Sequence, residues 1–198
     1  MKMSKLEKKF VNSIKQAEKN IAIAERYFGR IDLSRVKKVL EIGCGIGVLT
    51  SYLAKKYQWD MTGIDLDPEQ INRAKKDYVE NRNLRFIEAD ATKTPFDTNE
   101  FDLVLSFDVL HHIPDWHKVF LEIDRVLKKD CYYILSDLAF PSITSKAFRK
   151  LLSNYMGVYS AVDIVDRLEE NDFKVVYEER PKINIFMRHF RVASQKTP

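Results

Sequence analysis

Apolar residues at Leu6, Phe10, Ile14, Ala17, Ile21, Ala24 and Phe28 recur at three- and four-residue steps, which predicts one amphipathic helix over residues 4–28, stopped at Gly29. Beyond it the period changes. Short apolar runs at 37–42, 59–64, 84–89, 101–107 and 131–138 read as buried strands, and helical patterns at 47–57, 68–81 and 115–129 alternate with them. Pro68 opens the second of these helices with Asp67 as its N-cap, since proline at the first helical position lacks only an N–H that has no partner there anyway. Asp115 is expected to cap the third. Two further helices are predicted over 144–156 and 160–171, and FKVVYEE and INIFMRHFRVA close the chain as strands around Pro181.

Strands alternating with helices make βαβ units, so the expected fold is α/β: one doubly wound, Rossmann-like domain with a mostly parallel seven-stranded sheet. The last two strands are joined by too few residues for a parallel crossover, which predicts an antiparallel C-terminal strand. There is no repeat and no linker rich in Gly, Pro or Ser. Residues 1–198 therefore read as a single domain: a helix at 1–30, a core at 36–139, and helices with the last two strands at 140–198. With 198 residues, 45% of them hydrophobic, such a domain can bury a full core. The 33 basic residues stand against 29 acidic ones, and that small excess describes a mixed, solvated surface better than a polyanion-binding one. Cys44 and Cys131 lie far apart with no metal-ligand spacing, and no stretch approaches the ~18 apolar residues of a membrane span. A cytoplasmic protein without a metal is expected.

Residues 39–50 read VLEIGCGIGVLT. In a doubly wound sheet the ligand crevice lies outside the carboxyl ends of the strands, and glycine after the first strand lets backbone approach a ligand where a β-carbon would block it. A dinucleotide fingerprint needs its third glycine at position 48, which is Val48; the glycines are Gly43, Gly45 and Gly47. That argues against an NAD-dependent oxidoreductase. Glu41 beside the loop would repel phosphates and suits a sulfonium or ammonium group.

Across residues 36–139 the chain resembles the class I S-adenosylmethionine-dependent methyltransferases, especially their small-molecule branch. VLEIGCGIG resembles their first motif and GIDLDPEQI their second. The resemblance implies S-adenosyl-L-methionine as cofactor, with S-adenosyl-L-homocysteine as product, and implies roles for Glu41, Gly43, Gly45 and Gly47 in its binding. Asp65 would take the ribose hydroxyls, Leu66 the adenine face, Asp90 the adenine amino group, and the Ala91 N–H a ring nitrogen. Phe107, ending the fourth strand, would offer its carbonyl to the methionyl ammonium. His112 is a candidate general base. Tyr27, His111 and Tyr159 are candidates for binding the acceptor, with the N-terminal helix as a possible lid and Phe140 and Tyr155 as further lining. SFDVLHH stands where an Asn/Asp-Pro-Pro-aromatic motif would mark methylation of a nucleic-acid amine, and no Pro-Cys nucleophile is present, so a nucleic-acid acceptor is disfavoured. The expected reaction is in-line methyl transfer to a small molecule. A module that binds the cofactor without chemistry is the alternative of a different class.

Overall fold

The computed structural model describes residues 14–140, 150–180 and 188–198. The apolar runs become β1 (Lys38–Ile42), β2 (Asp60–Asp65), β3 (Leu84–Glu88), β4 (Phe101–Phe107) and β5 (Leu127–Ala139), followed by β6 (Phe173–Glu179) and β7 (Arg188–Lys196). They form one sheet in the order β3-β2-β1-β4-β5-β7-β6. The first five strands pair in parallel, and β7 runs antiparallel to both β5 and β6. Every residue of β4 is buried, because it is flanked by strands on both edges and covered on both faces. Alternate β4 residues serve opposite cores: Val104 joins Leu40, Phe120, Ile123, Leu135 and Ile164, while Leu103 and Leu105 join Tyr27, Phe28, Leu53 and Trp59.

The helices are α1 (Ile14–Phe28), α2 (Val48–Tyr57), α3 (Pro68–Asp77), α4 (Trp116–Val126) and α5 (Ala161–Glu170). Asp67 caps α3 as expected, its side chain accepting the Glu69 N–H at 3.0 Å. Asp115 occupies the N-cap of α4 but makes no cap bond; its carboxylate is drawn to Lys118 at 2.6 Å instead. α4 stops three residues before the predicted end. Leu127 already pairs with Phe101, and ladder pairing resumes at Leu103 opposite Tyr132, so the residues between loop out, with Asp130 at φ 63. The loop is tied down by Lys128, whose ammonium meets Asp102 at 2.6 Å; Asp102 also accepts the Lys37 and Lys38 N–H groups. Residues 4–13 of the predicted first helix, 144–149 of the predicted helix at 144–156, and 183–187 of the last predicted strand lie outside the described residues.

Tyr27 does not reach a ligand crevice. It is fully buried with Ile23, Ala24 and Phe28 on the C-terminal half of α1, and its ring meets Tyr177 of β6 edge-on at 5.3 Å. Of the predicted stripe, Ala24 and Phe28 are buried and Ile21 packs partly buried against the same core, while Ala17 lines the cleft; Ile23 and Tyr27 join the core beside them. Tyr27→Ala should lower unfolding stability by about 3 kcal/mol, the cost of removing a buried aromatic ring. Denaturant titration checks this, and a loss below about 1 kcal/mol would show that the ring is not part of the core.

Candidate active site

From β1 the chain leads to β2 on one side, and from β4 to β5 on the other, so the strand order reverses between β1 and β4 and leaves a crevice at their carboxyl ends. A cleft of about 830 Å³ opens there. Its floor is the glycine loop, which β2 holds in place: the N–H groups of Gly43 and Cys44 both donate to the Ile64 carbonyl, at 2.8 and 2.9 Å. Gly43, Gly45 and Gly47 all have positive φ, at 72, 53 and 79°. Gly43 and Gly45 line the cleft. Gly47 does not. A β-carbon there would lie 2.5 Å from the Phe86 ring, so the third glycine lets α2 close on β3 and is a packing residue, a correction to its expected role in ligand contact.

Glu41 lines the cleft yet is buried, and it accepts a hydrogen bond from Thr50 Oγ1 at 2.5 Å. Burial pushes its carboxyl up to about 8; the Thr50 bond opposes the shift and the nearby Asp65 adds to it. Asp65 ends β2. One of its oxygens accepts the Gly45 N–H at 3.0 Å and the other the Asp67 N–H at 2.9 Å, so a single carboxylate pins the glycine loop to the start of α3. Burial raises its carboxyl as well, and the two N–H groups counter this. Leu66 is exposed on the cleft wall. Asp90 accepts both the N–H and the hydroxyl of Thr92, at 2.8 and 2.7 Å, and Ala91 and Phe107 complete this half of the lining.

The other half is built on Asp137, an acid inside the apolar strand β5 with 1% exposure. It accepts the Val109 and Leu110 N–H groups at 2.9 and 2.7 Å and meets His111 Nδ1 at 2.5 Å. A carboxylate accepting at Nδ1 places the ring hydrogen there, which leaves the basic lone pair of His111 on Nε2. His112 sets its ring 4.0 Å from that of His111, tilted by 44°, and shares the cleft wall. The pairing with a buried carboxylate thus belongs to His111, where the sequence pointed to His112. Opposite lies Asp108, at φ 54. Gln16 Nε2 donates to it at 2.5 Å, and His189 Nδ1 approaches it at 3.2 Å. Lys19 bonds His189 Nε2 at 2.9 Å. Burial alone would raise the Asp108 carboxyl, but His189 and Lys19 hold it below the usual range.

Tyr159 is fully buried against Trp116 at 5.1 Å and its carbonyl receives the buried Phe140 N–H, while Tyr155 points outward. None of the three lines the cleft; Tyr159 is held instead against Trp116 at the start of α4. Sequence reading missed Asp137, Asp108, His189, Gln16, Lys19 and Asn20. Only Asp137 carried a signal, as a lone acid in CYYILSDL that had to find donors. Among the described residues no group of three or more His, Cys, Asp or Glu is placed to hold a metal, and no helix is long and apolar enough to cross a membrane.

Residues 40–135 match the model of a methyltransferase domain family. Over 96 residues the chain is 41% identical to the chloroplastic tocopherol O-methyltransferase of Arabidopsis thaliana, covering 46% of this chain and 27% of that protein. Over 120 residues it is 34% identical to the phthiotriol/phenolphthiotriol dimycocerosates methyltransferase of Mycobacterium tuberculosis, covering 60% and 44%. The chain thus spans less than half the length of these curated relatives. In three dimensions it is similar to geranyl diphosphate C-methyltransferase from Streptomyces coelicolor, crystallised with Mg2+, geranyl diphosphate and S-adenosyl-L-homocysteine. The TM-score is 0.75 at 14% identity, over 94% of this chain and 87% of that one, a likeness of fold.

Asp137→Ala would strip the acceptor from the Val109, Leu110 and Leu138 N–H groups as well as from His111. It should lower stability by about 2 to 4 kcal/mol, with Asp137→Asn costing less because the amide keeps one acceptor oxygen. Thermal and denaturant unfolding of both variants measure this.

Proposed function

We propose that this chain, whose residues 40–135 match the model of a methyltransferase domain family, is a class I S-adenosylmethionine-dependent methyltransferase that methylates a small-molecule hydroxyl by in-line displacement. The observation that carries the reading is the His111–Asp137 pair opening onto the same cleft as the glycine loop. The cleft fits the cofactor. The backbone is bare at Gly43 and Gly45, each Asp65 oxygen keeps acceptor capacity beyond its one backbone bond, and Leu66 offers an exposed apolar face. In this reading Asp65 takes the ribose hydroxyls, Asp90 and the Ala91 N–H the adenine edge, Leu66 its face, and the Phe107 carbonyl the methionyl ammonium.

The bound cofactor supplies an electrophilic methyl group on a positively charged sulfur. What remains for the protein is to hold the acceptor in line and keep water out. His111 Nε2 takes the proton of the acceptor hydroxyl, and Asp137 stabilises the imidazolium that results. Ile113, Pro114 and Leu138 give the acceptor an apolar wall, and Gln16, Ala17 and Asn20 of α1 close the cleft over it. A binding module without chemistry would have no use for a histidine oriented by a buried acid. NAD is disfavoured by Val48 at the start of α2 and by the acids around the loop. Both cysteines are free thiols, which supports a reducing compartment such as the cytoplasm.

Both S-adenosyl-L-methionine and S-adenosyl-L-homocysteine should raise the melting temperature, and NAD at equal concentration should not, since only a ligand of the native state stabilises it. Stabilisation by NAD alone would overturn the reading. With an acceptor found by labelling a metabolite extract, His111→Ala should lower kcat on the order of 100- to 10,000-fold while leaving homocysteine-product affinity unchanged. His112→Ala should do much less; the opposite ranking would return the proton to His112.

A further inference from the structure

Glu41 is the fourth residue of β1, between Gly63 of β2 and Leu105 of β4. It is 5% exposed, yet it lines the cleft beside Gly43. A carboxylate so placed is normally matched by a cation or by several N–H donors. Glu41 has one residue, Thr50 on α2, whose hydroxyl donates to it at 2.5 Å and whose backbone N–H adds a smaller contribution, and it has no cation. The charged or titrating groups that act on this corner are Asp65 from the end of β2 and, from the loop, the Cys44 thiol, itself pushed up by burial. Lys19 of α1 lines the same cleft but is engaged with His189 and, at 3.7 Å, with Asp108. In this company a carboxyl keeps its proton, and burial places its titration at about 8.

We propose that Glu41 is a proton-linked counter-charge for the methyl donor, protonated in the unliganded protein, ionised when a sulfonium enters the cleft, and reprotonated when the product is formed. The inference rests on the function proposed above. The two ligands differ by one charge: both carry an ammonium with its own carboxylate, which leaves the net charge of the site unchanged, and only the donor adds a sulfonium. During transfer the sulfur–methyl bond breaks with its electron pair left on sulfur, the methyl–oxygen bond forms, and the hydroxyl proton passes to His111. The cation beside Glu41 is then gone, and the carboxylate takes a proton from solvent. Ionised Glu41 favours donor over product, so the site loosens its hold on the product by the same step that consumes the donor.

Linkage gives the signs. Below the titration of Glu41, donor binding releases close to one proton, so its affinity should rise toward tenfold per pH unit from about pH 6 to 8 and level off above, while product affinity changes little. The test is calorimetric titration of the full chain with S-adenosyl-L-methionine, and separately with S-adenosyl-L-homocysteine, without acceptor, near pH 7 in buffers of different ionisation enthalpy. The donor should release about one proton more than the product. Glu41→Gln, an uncharged replica of the protonated side chain, should abolish that difference and flatten the pH dependence of donor affinity. Thr50→Val removes the donor that favours the ionised form and should move the plateau to higher pH. Donor binding without proton release, or equal release in Glu41→Gln, overturns the inference and leaves the proposed function standing. Failure of both ligands to bind overturns the two together.

Discussion

A carboxylate taken out of water must collect hydrogen bonds, and here those bonds build the site. Asp137, on β5 just past its last pairing with β4, gathers the Val109, Leu110 and Leu138 N–H groups and the His111 ring, and so dictates how the chain leaves β4. Asp65 does the same for the glycine loop and the start of α3. Parallel strands end in backbone groups with no ladder partner, and in both places a side-chain acid supplies one. The atoms that shape the cleft are thus the atoms that satisfy the fold. Stability and ligand binding cannot be separated cleanly at either residue.

Glu41, Asp65 and Asp108 on the cleft wall and Asp137 behind it stand in four different states of compensation. Asp137 is fully hydrogen-bonded, Asp65 is held by two backbone N–H groups, and Asp108 is lowered by His189 and Lys19. Glu41 has Thr50 and no cation, and burial wins. The contrast between Asp108 and Glu41 follows from their partners: each is raised by desolvation, and only one has cations at hand. An incoming cation therefore finds its best uncompensated partner in Glu41.

The helix α1 divides along its length. Its C-terminal half is anchored by Tyr27 and Phe28 in the core beneath β6 and α2, while Gln16, Lys19 and Asn20 of the N-terminal half stand over the cleft and reach Asp108 and His189. These α1 residues and His189 lie outside the residues 40–135 that match the family model, and they share the cleft with His111, Ile113 and Pro114 inside it.

Periodicity and local chemistry were legible from residues alone wherever a segment decides its own conformation. The alternation of strands and helices, the Asp67 cap, the three glycines and the antiparallel last strand all depend on neighbours a few positions apart. The loop around Asp130 was not legible, because the pull of Asp102 on Lys128 comes from another strand. Gly47 read as a ligand contact until Phe86 of β3 was seen against it, and Tyr27 and Tyr159 read as acceptor residues until each was found packed on a distant ring. The choice between His111 and His112 was beyond the sequence for the same reason: adjacent residues with one side-chain chemistry are told apart only by which ring meets Asp137, 26 positions away along the chain. Local sequence sets what a segment can become; a buried charge chooses its partner only once the strands have brought both to one place.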